Sequence, residues 1–221
     1  MELPTYVTFD CYGTLVDFDL SAATLRALGS RTARIDVTAF LKDFETIRYE
    51  AILGAYVPYR EVLRRSLAET MRCYGLEYRA EDGEAIIAAV PTFGPFPEVP
   101  SALEKLGEHC RLVIISNTED VLITHNVRNI GVPFHQVITA EQARAYKPSA
   151  AIFDYTLRRL GCTPADILHV AQGFLYDVVP AHELGWRCVW INRRGQEGDG
   201  VHLPWRELQD LSGLPALLGI E

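Results

Sequence analysis

Apolar positions recur along the chain with two different periods, and the change of period divides it. Short β-prone apolar runs at residues 6–9, 112–116, 137–140, 167–171 and 188–192 read as buried strands. Helical patterns separate these runs through the second half, which predicts an α/β fold with a parallel sheet covered on both faces. Between Val16 and about Pro95 no convincing strand occurs. Amphipathic stretches near residues 21–28, 37–53, 59–73 and 82–90 follow one another there, with Gly75 supplying a stop for the third. We read this region as a helical cap inserted after the first strand. The segment Pro91-Thr92-Phe93-Gly94-Pro95-Phe96-Pro97 has the composition of a return hinge. The expected domains are therefore an α/β core over residues 1–15 and 96–221 and a cap over residues 16–95.

With 221 residues, 48% of them hydrophobic, the chain can bury a core for one domain plus a sizeable insertion. A formal charge of −8 argues against a nucleic-acid partner, and the nearest basic group, Arg60, Arg64 and Arg65, reads as a solvated helix face. Five cysteines, at positions 11, 73, 110, 162 and 188, show no CxxC spacing and cannot all pair within the chain. Reduced thiols suit a cytoplasmic setting. Met1-Glu2-Leu3-Pro4 lacks the basic-then-apolar pattern of a leader, and no apolar stretch reaches the roughly 18 residues of a membrane span. No membrane partner is expected.

Candidate chemistry begins at Phe9-Asp10-Cys11-Tyr12-Gly13-Thr14-Leu15. The pattern puts Asp10 at the carboxyl end of a buried strand, where ligands gather in open α/β sheets, and Gly13 and Thr14 suit a tight turn. Three further segments fall at or just beyond predicted strand ends. Ser116 and Asn117 offer a hydroxyl and an amide to a carboxylate or an anionic substrate. Tyr146-Lys147-Pro148 sets a cation before a proline able to begin a helix. The run from His169 to Asp177 returns a second carboxylate. Taken singly, each has an ordinary reading as turn chemistry, a solvated lysine or a helix cap.

In this order the Asp-x-Tyr-Gly-Thr-Leu, Ser-Asn, Lys-Pro and strand-loop-Asp segments resemble the four signature motifs of the haloacid dehalogenase superfamily. The resemblance covers almost the whole chain, insertion included. It implies a Rossmann-like core with a helical cap, and Asp10 as a nucleophile that forms a covalent ester with substrate. Two departures narrow the chemistry. Phosphatases of the superfamily carry a general acid–base Asp two residues after the nucleophile, where this chain has Tyr12. They also carry a Gly-Asp pair that ligates Mg²⁺, where this chain has Ala171-Gln172. Asp10, a backbone carbonyl and Asp177 make a poor shell for a hard cation, so neither metal nor cofactor is expected. A carboxylate can still displace a good leaving group such as halide from an sp³ carbon.

The same set is similar to the type II 2-haloacid dehalogenase branch. That likeness implies that Lys147 keeps Asp10 ionised and binds the substrate carboxylate with Ser116, and that Asp177 helps activate the ester-opening water. Tyr12 and Asn117 fall on the substrate side, the Cys11 and Tyr12 amides serving as oxyanion donors. The branch's halide-cradling Arg aligns approximately with Phe40, whose nearest cations are Lys42 and Arg48. Its Tyr six residues after the Lys is Phe153 here. Its fourth-motif Ser and Asn are Gln172 and Phe174, with Gln172 in place to orient water. Phe40, Arg48, Gln172 and Phe174 complete the substrate-binding candidates. Tyr56, Tyr59 and Arg60 divide between facing the site and ordinary packing, as do Phe93 and Phe96. The closing segment, residues 185–193, reads as structural support.

The expected function is a metal-independent hydrolase that displaces halide from a small 2-haloalkanoic acid to give a 2-hydroxy acid. Its expected partners are that small 2-substituted carboxylic acid and, by the resemblance, a second copy of the chain in a homodimer. The alternatives are C–N hydrolysis of the azetidine-2-carboxylate type, which needs a proton donor in the cap, a Mg²⁺-dependent phosphatase, and a non-catalytic module that binds a small acid.

Overall fold

The computed structural model describes residues 3–221; Met1 and Glu2, part of the expected 1–15 segment and of the leader reading, lie outside them. β1 (Tyr6–Phe9) is buried at every position and leads into four helices: α1 (Leu20–Leu28), α2 (Val37–Ile52), α3 (Tyr59–Cys73) and α4 (Ala80–Ala89). The chain then alternates. It runs through α5 (Val99–Gly107), β2 (Arg111–Ser116), α6 (Asp120–Ile130), β3 (Gln136–Thr139), α7 (Ala140–Ala143) and α8 (Ala150–Leu160). It closes with β4 (Ile167–Ala171), α9 (Val179–Glu183), β5 (Arg187–Ile191), β6 (Arg206–Leu208) and α10 (Leu214–Leu217).

The strands form one parallel sheet in the order β3-β2-β1-β4-β5-β6. The expected α/β class is what the chain adopts. Because β1 lies between β2 and β4, the chain leaves it first to one side and later to the other, which makes its carboxyl end a topological switch point. Phe9 pairs with Ile114 and with Val170, so the three strands end nearly level and deliver Asp10, Ser116 and Gln172 to one edge. Alternate strand residues enter two apolar layers: Val113, Ile115 and Ile138 on one face, Val7, Phe9, Ile114, Val170 and Val189 on the other. The sixth strand, Arg-Glu-Leu at the sheet edge, was not expected. It is three residues long and only partly covered, so no apolar run marks it.

The helical insertion follows local chemistry. Asp19 and Asp36 accept hydrogen bonds from the amides of Ala22 and Ala39 and so cap α1 and α2. α3 ends as the sequence predicts, with Gly75 at φ +67° and the Leu76 amide donating to the Met71 carbonyl at 2.8 Å. The two chain crossings between insertion and sheet run side by side: Asp17 N–H donates to Gly94 O at 2.9 Å and Phe96 N–H to Leu15 O at 3.0 Å. Asn126 secures the returning strand by donating to the carbonyls of Val90 and Phe93, both at 2.9 Å. Phe93 and Phe96 pack on the second apolar layer and do not line the cleft.

Candidate active site

Asp10 extends the ladder of β1 by one residue, its amide donating to Val170 O at 3.1 Å. The chain then folds sharply, with the Leu15 and Val16 amides both on the Cys11 carbonyl at 2.8 and 2.9 Å. Gly13, at φ +88°, takes the left-handed conformation this turn requires. The turn returns Thr14 beneath Asp10, where its hydroxyl donates to Asp10 Oδ2 at 2.8 Å and accepts from the Gln172 amide at 2.8 Å.

Lys147 reaches the other carboxylate oxygen. Its main chain is gripped by the Asn117 amide, which accepts from Lys147 N at 2.7 Å and donates to Lys147 O at 2.8 Å. Its ammonium lies 2.8 Å from Asp10 Oδ1 and 2.6 Å from Asp177 Oδ1. Asp177 comes from one wide helical turn, Phe174–Val178, that follows β4. Beneath it, His169 Nε2 lies 3.0 Å from Asp177 Oδ1 and Nδ1 lies 2.9 Å from the Thr8 hydroxyl. Thr8, Asp10, Thr14, Lys147, His169 and Asp177 are all buried.

A single cation between two buried carboxylates sets the charge balance. Burial pushes the Asp10 carboxyl up; Lys147 opposes this and the neighbouring Asp177 adds to it, leaving Asp10 above the ordinary aspartate value. Burial pushes Asp177 upward too, but Lys147 and the His169 hydrogen bond hold it below that value. Burial alone would lower Lys147, yet the two carboxylates keep it above the ordinary lysine value. Asp10 is thus the more basic carboxylate beside an ammonium that stays charged. Burial pushes the adjacent Cys11 thiol well up, so it remains protonated.

These groups form the floor of a cavity of about 230 Å³. Leu41, Phe44, Glu45, Arg48 and Ile52 of α2 and Tyr59 of α3 form its roof, while Tyr176, Arg194 and Gln196 complete the rim. Ser116 lines the floor with a fully buried hydroxyl that has no partner, a donor open to a ligand. Gln172 also lines it, its side-chain amide resting on Gln196 Oε1 at 3.3 Å. Tyr12 lines the wall with its ring, but its hydroxyl donates to Asn126 at 3.0 Å.

Several expected residues play other parts. Asn117 borders the cavity, but both amide atoms are committed to Lys147, so it acts as scaffold rather than as a substrate ligand. Phe40 is not at the site: it is fully buried inside the insertion, edge-on to Tyr74 with centroids 5.2 Å apart. On α2 the facing positions are 41, 44, 45, 48 and 52, a helical period that includes Arg48 and excludes 40. Phe174 is displaced as well. It packs on Trp190 at 5.1 Å, and the wide turn presents Tyr176 to the cavity instead. Tyr56 stacks on Tyr146, Arg60 pairs with the buried Glu119, and Phe153 lies beneath the floor against Trp186.

Thr14, His169, Tyr176, Arg194 and Gln196 were missed. His169 had a signal: it is the polar residue in the otherwise apolar run Ile167-Leu168-His169-Val170-Ala171. Arg193, in the segment read as structural, fits that reading. It donates to Thr14 O at 2.8 Å and Glu98 at 2.6 Å, which ties the loop after β5 to the turn that follows Asp10.

Among the described residues no three His, Cys, Asp or Glu side chains gather as a metal-binding group. The Lys147 ammonium fills the space between the two carboxylates, and position 172 supplies an amide. This donor set fits an ammonium and not a divalent ion. Among the described residues no helix is long and apolar enough to cross a membrane.

Residues 5–185 match the family model described as haloacid dehalogenase-like hydrolase. Haloacetate dehalogenase H-2 of Moraxella sp. (strain B) is 30% identical over 195 residues, which cover 86% of this chain and 86% of that protein. The (S)-2-haloacid dehalogenase of Xanthobacter autotrophicus is 30% identical over 194 residues, 86% of this chain and 76% of that protein. In fold, the chain is similar to the solved L-2-haloacid dehalogenase from Xanthobacter autotrophicus, with a TM-score of 0.85 at 24% identity over 98% of this chain and 99% of that one.

Proposed function

Since this chain belongs to the haloacid dehalogenase-like hydrolase family, we propose that it is a metal-independent dehalogenase of small 2-haloalkanoic acids that yields 2-hydroxy acids. The observation that carries this reading is the Lys147 ammonium joining Asp10 and Asp177 at the floor of a cavity. Such a floor sets a fixed cation against both carboxylates without a divalent ion.

In the first step an Asp10 oxygen attacks the substituted carbon from behind, and the carbon–halogen bonding pair leaves with the halide. Raised basicity makes Asp10 the better nucleophile of the two carboxylates. Halide leaves without a proton, so the phenol at position 12 in place of a second carboxyl is no handicap. The buried, unpartnered Ser116 hydroxyl suits the substrate carboxylate, and Arg48 stands on the roof to receive the departing halide. In the second step water adds to the ester carbonyl of Asp10, Asp177 takes its proton, and the acyl–oxygen bond breaks. The 2-hydroxy acid keeps the oxygen that Asp10 first contributed. Residues 16–95 act as a cap whose closure excludes bulk water.

The test is halide release from chloroacetate, bromoacetate, fluoroacetate and 2-chloropropionate by the wild-type chain and by Asp10→Asn. Release by wild type and none by the variant is expected. Silence toward all four acids would remove the dehalogenase assignment and leave the fold untouched.

A further inference from the structure

We propose that His169 is a positioning residue for the ester-opening step: it fixes one oxygen of Asp177 so that the other, kept accessible by the missing side chain of Gly173, takes the proton of the attacking water. This rests on the reading that Asp10 forms an ester. His169 belongs to β4 and is the register partner of Thr8 on β1. Its ring is fully buried and stands edge-on to Phe153 and Trp186. A hydroxyl can donate to Nδ1, so the pairing with Thr8 at 2.9 Å leaves the proton on Nε2, which donates to Asp177 Oδ1 at 3.0 Å.

Lys147 reaches the same Oδ1 at 2.6 Å. With two charge-assisted contacts on one oxygen, the carboxylate cannot rotate without breaking both. Oδ2 is left for chemistry. It lies against Gly173, where an added Cβ would stand 2.6 Å from it, and both residues line the cavity. Gly173 has φ −72°, so its backbone conformation suits alanine and the obstacle is space: the added Cβ would press hardest on Oδ2 and would also stand 3.2 and 3.3 Å from Cβ and Cδ2 of Tyr176. The step balances. Water oxygen bonds to the acyl carbon of Asp10 and its proton passes to Asp177 Oδ2. As the acyl–oxygen bond breaks, that proton goes to the departing alkoxide and the new Asp10 carboxyl releases one to solvent.

The test compares wild type, His169→Phe, His169→Gln and Gly173→Ala with 2-chloropropionate, reading single-turnover halide release, steady-state turnover and intact mass. Single-turnover halide release should fall by less than steady-state turnover in each variant, because Asp10 keeps its Lys147 and Thr14 partners. His169→Phe and Gly173→Ala should lower steady-state turnover about ten- to a hundredfold while the ester accumulates on the protein. His169→Gln, which keeps an N–H near Nε2, should recover most of the loss. Equal slowing of both steps without rescue by Gln, or no ester in either slow variant, would overturn the role of His169. Failure of heavy oxygen from enriched water to enter the Asp10 peptide of wild type would instead overturn the nucleophile assignment on which the role depends.

Discussion

At the sheet edge Lys147 touches two carboxylates, Asp10 is held through both oxygens and Asp177 through one by two donors. Across the same cavity, Arg48 on α2 lies over the Phe44 ring at 5.1 Å and has no ion pair among the described residues. The difference follows from burial. Charges sealed beneath the sheet edge must satisfy one another before any substrate arrives, because an unpaired ion there would be severely destabilising. Arg48, only half-buried, is under no such demand, and on the proposed reading its partner is the ligand. On that reading the floor is preorganised chemistry and the roof is recognition.

Lys147→Ala should have the largest effect, since it leaves two buried carboxylates facing each other. Denaturant unfolding should report a loss of about 3–5 kcal/mol, and halide release should disappear. Retained activity would mean that the floor is not organised by the ammonium. Arg48→Ala comes next: losing a charged contact worth about 1.5–3 kcal/mol should lower kcat/KM roughly ten- to a hundredfold with stability nearly unchanged. Steady-state kinetics beside a melting curve separate the two.

The floor also predicts an order of events on acidification. On the proposed mechanism Asp10 must be ionised to attack, and its raised pKa means it takes up a proton as pH falls toward a point above the ordinary 3.8. Asp177 has a lowered pKa, so its stabilising contribution is present above 3.8 and is lost only as pH falls through its lower folded value. Activity should therefore fail before the fold does. A kcat/KM profile read beside circular dichroism checks this, and coincident transitions would contradict it. The smallest effect is expected at Phe40, where Phe40→Met should cost under about 1.5 kcal/mol and leave KM unchanged, since that ring never meets the cavity.

The sheet edge was legible because its residues sit beside strand ends that hydrophobic patterning marks. Asp10, Ser116, Lys147 and Asp177 were found that way. Lys147 and Asp10 are nonetheless 137 positions apart, and the parallel register of β1, β2 and β3, with Asn117 holding the Lys147 main chain, brings their segments together. The roof was less legible. Which face of α2 meets the cavity depends on packing against α3, so alignment pointed to Phe40 while the helical period points to Arg48. The wide turn after β4 exchanged Phe174 for Tyr176, because the fourth-motif alignment did not anticipate its geometry. His169 was harder to read for another reason: its one signal is being polar in a buried apolar strand, and its partners Thr8 and Asp177 form no local motif with it.

The most direct test of the central claim follows heavy oxygen from enriched water during turnover of 2-chloropropionate, using peptide mass spectrometry. If Asp10 carries the substrate as an ester, its peptide gains the label and the first-formed 2-hydroxy acid does not. Label appearing in the hydroxyl of that first product, with the Asp10 peptide unlabelled, would show that water attacks the substrate directly and would contradict the account.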